Sequence, residues 1–338
     1  MRIECVNCHN AINIPDERLP KGKAIAFPCP ACKAAIEINL RSRSSQYDTS
    51  LSQRKQKDYI KGDALKKKIL RTVDNLPPMP QTVLKAREIM ANPKSDFKEL
   101  GELLETDQAI AAKVLKLANS TYYGMSGKVS SIQHASVVLG HKTLGELITM
   151  GGVSSLLGKT LDGYGLDAGA MWKHSLGVAF GSRIIAKKRS PALLNDAFTS
   201  GLIHDAGKLI LDQYIVERWD LFEEFMADGQ RTFLQAEKEI LEFDHSEIAS
   251  EVCNSWRIPK HMTIAIKYHH HPSDSHGSEL AYIIHMADAI AMMSGIGLGI
   301  DGMLYQIDDK AMEFLNFQED DISSIMDEVQ KAVQQISE

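Results

Sequence analysis

The chain lacks long apolar runs. No window of its 338 residues approaches the roughly 20 apolar residues that a helix needs to cross a bilayer, so a membrane-spanning helix is excluded. It also lacks an excess of positive charge. With 38 Lys and Arg against 44 Asp and Glu, the formal net charge is -6, which disfavours a general nucleic-acid coat while allowing local basic patches. Aromatic residues are only 7% of the chain, and none form a stacking platform for single-stranded nucleic acid. Cysteine is scarce as well. Of five cysteines, four fall in two close pairs near the N-terminus and Cys253 stands alone; in a reducing compartment that usage predicts metal binding rather than disulfides. The opening residues Arg2, Glu4 and Cys5 include no apolar stretch, which predicts no secretory signal and a cytoplasmic location.

What is present is an ordinary globular composition, 44% hydrophobic and 24% charged, over a length that suits one large domain plus a small module. Residues 1–40 carry Cys5-Val6-Asn7-Cys8 and Cys29-Pro30-Ala31-Cys32. Two residues between cysteines allow a tight knuckle with both sulfurs inward, and two knuckles make a tetrahedral S4 set for Zn2+. Alternation in Ala11-Ile12-Asn13-Ile14 and Ala35-Ile36-Glu37-Ile38 predicts short strands after the knuckles. So small a segment has no core of its own, and the metal would be its main source of stability. The pattern resembles the small zinc ribbons at the N-termini of many bacterial regulatory proteins. Residues 41–68, with Arg41, Arg43, Arg54, Lys55, Lys57 and Lys66-Lys67-Lys68, read as a flexible basic linker that turns into the approach to a helix. Such a linker is more often simply solvated than bound to nucleic acid or lipid.

From residue 69 to about 295 the periods are helical. Val83, Leu84, Ala86, Ile89 and Met90 keep one face up to Asn92-Pro93. Phe97, Leu100, Leu103 and Leu104 keep a second, and Ile110, Val114 and Leu117 a third, with Asp107 as N-cap. Further helices are expected over residues 131–139 and 143–157. No alternating strand runs occur here, so the body is predicted to be mainly α.

Gly201-Leu202-Ile203-His204-Asp205-Ala206-Gly207-Lys208-Leu209-Ile210-Leu211 sets a His-Asp doublet in an apolar run that reads as a buried helix. A buried carboxylate without a partner costs several kcal/mol of desolvation, of the order of 3–5, so Asp205 needs a cation. Two candidates stand: Lys208, one turn away, or a divalent metal held by His204 and Asp205 together. Asp288, in Ile283-Ile284-His285-Met286-Ala287-Asp288-Ala289-Ile290, poses the same problem in a second apolar helix, and a shared metal would answer both. Asp244-x-x-Glu247 resembles a capping box that would start a helix at His245. His269-His270-His271 precede Pro272, which prevents a smooth helical continuation; the residues alone do not say which two of the three point inward.

Leu76-Pro77-Pro78-Met79-Pro80, the helix ending Leu117-Ala118-Asn119-Ser120, the Tyr123-Gly124 loop, and Ala135 through Leu139-Gly140 with the Leu144 helix resemble the HDOD domain. This is a bacterial helical signalling domain related to the HD phosphohydrolases, and the resemblance covers roughly residues 70–290. It implies a first His, the His-Asp doublet, further His residues and a last Asp, contributed by different helices. In this chain these are His174, His204, Asp205 and Asp288 around one divalent metal, such as Fe, Mn or Zn. Asp205 would bridge to a second metal bound by His245 and two of the triplet, for which the family pattern favours His269 and His270. His134, His141, His261, His276 and His285 are read as structural, with His285 placed to orient Asp288. The Gly-Tyr-Pro segment of the HD-GYP phosphodiesterases is absent after His271-Pro272-Ser273. Ala170 stands where some relatives carry a Glu one turn before the first His, which argues against a three-metal centre.

Beyond residue 295, glycines interrupt the pattern, and a tail from Asp320 presents Ile322, Ile325, Met326, Val329 and Val333 on one side. That face can pack on the body or mediate homodimerisation, packing being expected. The functional expectation is a bacterial signal-transduction protein whose HDOD domain binds a signalling protein or a nucleotide. The alternative is a metal-dependent phosphohydrolase acting on a nucleotide or cyclic dinucleotide, with Asp205 and Lys208 as its catalytic pair. Membrane and nucleic-acid partners are disfavoured.

Overall fold

Apolar residues recurring every three or four positions fold most of the chain into helices whose buried stripes meet in one core. The computed structural model describes residues 2–4, 11–13, 24–28, 35–39, 59–73, 81–91, 97–124, 129–302 and 305–337. These belong to two compact units, Met1–Tyr59 and Ile60–Glu338.

In the first unit, β1 (Arg2–Glu4) pairs antiparallel with β2 (Ala11–Asn13), Ile3 opposite Ile12. β3 (Ala24–Pro28) pairs antiparallel with β4 (Ala35–Asn39), Ile25 opposite Ile38 and Phe27 opposite Ile36. The two strands expected after the cysteine pairs are β2 and β4; the strands preceding the pairs complete each hairpin. Cys5, Cys8, Cys29 and Cys32 lie outside the described residues, as do most of the basic linker and the Leu76–Pro80 segment.

The second unit opens with α1 (Gly62–Val73), which takes up the last lysines of the basic stretch. Its Leu65 and Ile69 are buried, and Lys66 pairs with Glu247 at 2.9 Å. There follow α2 (Gln81–Ala91), α3 (Phe97–Glu105) and α4 (Gln108–Ala118), the last capped by Asp107, whose side chain accepts from the N–H of Ile110 at 3.1 Å. Next comes α5 (Ile132–Leu157), broken at Gly140 by φ 79° and ψ 167°, values natural only to a residue without Cβ. That break separates the two helices expected from the sequence.

The helices α6 (Ala170–Arg189) and α13 (Glu279–Met293) form the centre, buried on almost every side. Around them lie α7 (Leu194–Ile203), α8 (Lys208–Glu217), α9 (Trp219–Phe225), α10 (Phe233–Leu241), α11 (His245–Ser255) and α12 (Lys260–Lys267). After a short α14 (Ala311–Phe314), α15 (Glu319–Ser337) returns to pack on α6 and α13 through Ile325, Val329 and Val333. The apolar face of the tail therefore lies on the body. Among the described residues, no helix is long and apolar enough to cross a membrane.

Candidate metal centre

The His-Asp doublet does not sit mid-helix. α7 ends at Ile203 and α8 begins at Lys208, leaving His204–Gly207 as a tight turn between them. The turn is held by Ala206 N–H to Ile203 O at 3.0 Å and Lys208 N–H to Asp205 O at 2.9 Å. Periodicity could not reveal the break, because the apolar run continues through it and the backbone at His204 and Gly207 keeps helical angles. The turn is pressed against α11 so closely that a Cβ on Gly207 would lie 2.0 Å from the carbonyl oxygen of His245. At Gly201 a Cβ would meet Val178 O and Ser182 Oγ of α6 at 2.8 Å. Two glycines thus allow the doublet to approach both neighbouring helices.

Each expected ligand comes from a different part of the bundle. His174 stands near the start of α6, Asp288 in the middle of α13, His245 at the first position of α11, and His269 and His270 just after α12. Asp244 caps α11 by accepting from Glu247 N–H at 3.0 Å. The Glu247 carboxylate instead engages Lys66 at 2.9 Å and Lys238 at 2.5 Å, so only the Asp244 half of the capping box is used. Solvent exposure is 0% for His204 and His269, 1% for Asp288, 2% for Asp205 and His245, and 3% for His174.

The ring orientations share one logic. A carbonyl oxygen can only accept, so the ring nitrogen facing it carries the proton. His204 Nδ1 donates to Gly201 O at 2.8 Å, His269 Nδ1 to Ile266 O at 2.7 Å and His174 Nδ1 to Ile296 O at 3.3 Å. His245 Nδ1 donates to Glu237 Oε2 at 2.7 Å. In all four the Nε2 atom is turned inward. His174 Nε2 lies 3.1 Å from Asp288 Oδ1 and 3.7 Å from Asp205 Oδ2; His204 Nε2 is 3.4 Å from Asp205 Oδ2 and 3.8 Å from Asp288 Oδ1. His245 and His269 approach Asp205 Oδ1 at 3.4 and 3.8 Å. Asp205 and Asp288, 83 residues apart in the chain, are thus brought to the same histidines.

Lys208 does grip Asp205, through Oδ2 at 2.5 Å, and so takes the role that a purely structural reading gives it. It leaves the rest unsatisfied. The buried atoms without a hydrogen bond include His174 Nε2, His204 Nε2, His269 Nε2, Asp205 Oδ1 and Asp288 Oδ1. Five orphaned nitrogen and oxygen donors converging in a dry core is a costly arrangement for hydrogen bonding and suits a divalent cation. Three overlapping sets meet the spacing a metal requires: His174/His204/Asp205, His204/His269/Asp288 and His245/His269/His270. His245 and His270 face each other Nε2 to Nε2 at 2.7 Å, a contact that needs a proton or a cation between the lone pairs. Of the histidine triplet, His269 and His270 face inward, and His271 is exposed.

Protonation follows the same map. Burial works against charge on His174, but the close approach of Asp288, 3.1 Å away, and the charge of Asp205 outweigh it and raise its pKa. His245 is likewise opposed by burial and is pushed up to about 10, chiefly by Glu237 and then Asp205. Burial and neighbouring imidazoles hold His269 down to about 3 and His270 well below its ordinary value. Burial raises both carboxyls, yet His204, Lys208 and His245 bring Asp205 well down, and His174 with His204 brings Asp288 down. Protons on His174 and His245 would leave as a metal bound, so occupancy is linked to pH.

Three residues buttress the cluster; Glu237 and Tyr305 were not expected from the sequence, and His285 acts differently from the expectation. Glu237, fully buried on α10, accepts from His245 Nδ1 and N–H and, on Oε1, from the Tyr164 hydroxyl at 2.5 Å. A signal existed: Glu237 falls on the α10 face that carries Phe233, Ala236 and Leu241. His285 donates from Nδ1 to His269 O at 2.7 Å and accepts Asp308 N–H on Nε2 at 2.8 Å. It therefore braces the His269 backbone rather than Asp288. Tyr305 stands over the cluster, its ring 5.9 Å from those of His270 and His285. Beneath it a cavity of about 40 Å³ touches Lys208, His245 and His270. Outside, a hollow of about 610 Å³ is lined by His270, His271, Ser273 and the segment 306–310.

A helical body with a His-Asp turn ringed by buried histidines defines the HD-type class of domains. A family model described as HDOD domain matches residues 76–272, and the chain belongs to that family. A crystal structure of an HDOD domain protein with unknown function from Geobacter sulfurreducens covers 80% of this chain and 97% of its own, at TM-score 0.63 and 24% identity. A protein of Shewanella amazonensis SB2B, provisionally named a phosphohydrolase, covers 79% of this chain and 96% of its own at TM-score 0.62 and 26% identity. An uncharacterized protein of Treponema pallidum (strain Nichols) is 23% identical over 199 residues, 59% of this chain and 38% of that relative's length.

Proposed function

We propose that this chain is a cytoplasmic signal-transduction protein whose HDOD domain retains an HD-type centre for one or two divalent metals, Fe, Mn or Zn. The reading rests on one observation: five buried, unpartnered donor atoms from four separate segments meet at one place. His174, His204, Asp205 and Asp288 would hold the first ion. His245, His269 and His270 would hold the second, with Asp205 between. Four Nδ1 hydrogen bonds aim the Nε2 atoms inward, the outer-sphere support that metal-binding histidines need. Residues 1–40 form a second metal module in this reading, Cys5, Cys8, Cys29 and Cys32 holding Zn2+. The partner is a signalling protein or a nucleotide.

A second reading, metal-dependent phosphohydrolysis of a nucleotide or cyclic dinucleotide, is favoured by the completeness of the ligand set and by Lys208 beside Asp205. A bound divalent ion would supply Lewis acidity and a water of lowered pKa. Lys208 would neutralise phosphate charge, and Asp205 would hold Lys208 in place. Access weighs against it. The cavity of about 40 Å³ beneath Tyr305 holds little more than a water, so a nucleotide would reach the centre only after residues 305–310 moved aside.

The test is elemental analysis of the purified protein and of Asp205→Asn, followed by nucleotide phosphoesters and cyclic dinucleotides with product analysis. Iron, manganese or zinc beyond one zinc per chain, lost in Asp205→Asn, is the expected result. Metal content unchanged by Asp205→Asn would defeat the centre. Turnover that depends on Asp205 and Lys208 would move the assignment to the hydrolase.

A further inference from the structure

On α6, nine residues or about 13 Å beyond His174, a different chemistry begins. Arg183 extends into a cavity of about 800 Å³ walled by α5, α6 and α15. Its guanidinium donates from Nη1 to Glu146 at 2.6 Å and from Nη2 to the Tyr122 hydroxyl, and lies over the rings of Phe180 and Phe198 at 5.1 and 5.5 Å. Glu146 is 8% exposed, so this pair is a fixed floor rather than a mobile surface contact. Lys142 of α5, Lys187 of α6 and Lys331 of α15 rise around it. None of these three lysines has an ion-pair partner among the described residues. Lys188, also on the lining, is 4.0 Å from Asp321.

Like charges gathered from three separate helices repel one another, and the molecule as a whole is acidic at -6. Such a concentration of positive charge in a concave, partly apolar setting focuses the field and favours an anion. Tyr122, Ile184 and Leu194 form an apolar side to the same cavity, and its volume falls within the ordinary range for small-molecule sites, roughly 300–1,000 Å³. Glu328 of α15 also lines the cavity, which leaves five cationic side chains against two carboxylates, Glu146 and Glu328, on its wall; a long polyanion fits poorly, because α15 also carries Asp320, Asp321 and Asp327. We infer that the cavity between α5, α6 and α15 binds a small organic phosphate, a nucleotide carrying two or more phosphate groups, with Arg183, Lys142, Lys187 and Lys331 taking the phosphates and Tyr122, Ile184 and Leu194 covering the base. This site is distinct from the metal centre and does not depend on it.

The test is calorimetric titration of the full chain with ATP, inorganic pyrophosphate and a 15-nucleotide single-stranded DNA. Wild type is expected to bind ATP and pyrophosphate, ATP more tightly. Lys187→Glu/Lys331→Glu, two exposed positions that leave the core intact, is expected to weaken both at least tenfold with an unchanged melting temperature. Lys113→Glu/Lys116→Glu, the same charge change on α4, is expected to leave both unaffected. The site is overturned if wild type binds neither probe, if the α4 variant weakens binding equally, or if the DNA binds more tightly than ATP with the same sensitivity. ATP binding that the Lys187/Lys331 variant leaves untouched would place the phosphate elsewhere and overturn this site as well. Because the readout is binding and not metal content, the site stands or falls separately from the proposed centre.

Discussion

Glu237 and His245 form a hydrogen-bonded pair at 2.7 Å, with side-chain exposures of 0% and 3%. The carboxylate fixes the imidazole so that Nε2 faces Asp205, and Tyr164 holds the other carboxylate oxygen. Glu237→Gln keeps the shape and removes the charge that raises His245 basicity. Second-sphere losses of this kind typically cost about 10–100-fold in metal affinity. Competition dialysis of the metal-loaded protein should show that loss, with a stability cost of about 1–3 kcal/mol from the imperfect buried hydrogen bond. Unaltered metal affinity would show that His245 is not a ligand.

The five orphaned atoms make a prediction about stability. A metal that binds only the folded chain adds RT ln(1 + [L]/Kd), about 4 kcal/mol at a thousandfold excess over Kd. Thermal melts with and without a chelator should therefore differ by several degrees in the HDOD unit, and Asp205→Asn/Asp288→Asn should remove the difference. Melts that coincide for wild type would mean that protons on His174 and His245 suffice to hold the cluster.

How much of this was legible in the chain follows from range. Helix periods are local, so α4 with its Asp107 cap, the two parts of α5 and the amphipathic α15 can be read from residues a few positions apart. The His204-Asp205 doublet and Asp288 stand out because a carboxylate in an apolar run needs a partner, whereas His174 and His245 are singled out by the resemblance to the HD pattern. The residues alone leave the choice within His269-His270-His271 open; the family pattern favours His269 and His270, and the turn after α12 is what leaves His271 exposed. Glu237 left a local trace as a carboxylate on a buried face, but its partner His245 lies eight residues on, across a turn. Tyr305 left none, since its place above the cluster is set by a loop packing on α13. The break between α7 and α8 was hidden for the opposite reason: apolar residues flank it on both sides, and His204 and Gly207 keep helical backbone angles.

Lys208 offers a way to separate the two cations that compete for Asp205. Lys208→Met keeps the buried aliphatic volume and removes the charge 2.5 Å from Oδ2. Without metal, Asp205 would lose its shortest ion pair, and breaking a buried pair costs about 3–5 kcal/mol. With metal bound, the carboxylate is still neutralised, and the cost should fall to about 1 kcal/mol. Chemical denaturation of the variant in chelator and in excess manganese or zinc measures the two values. Equal costs in both conditions would show that Asp205 answers to Lys208 alone.

Asp244 links the site's scaffold to pH. Burial raises its pKa, but the charges of His245 and Lys238, the Ser246 hydroxyl and the Glu247 N–H outweigh burial and bring it down to about 2; Lys238 Nζ stands 3.1 Å away and Ser246 Oγ 2.6 Å. The unfolded chain binds this proton at about 3.9, so the folded state prefers the ionised form. Its contribution, about 2 kcal/mol for the nearly enclosed carboxylate, is present in full above pH 5 and is lost as pH falls through 3.9 towards 2. Asp244→Asn should therefore be less stable than wild type at pH 6, and the gap should close between pH 4 and 2.5 in chelator-treated protein. Because Asp244 starts α11 and α11 starts at His245, the variant should also loosen metal binding at neutral pH. A gap that stays constant from pH 6 to 2.5 would mean that the cap acts through hydrogen-bond geometry, which asparagine shares, and not through charge.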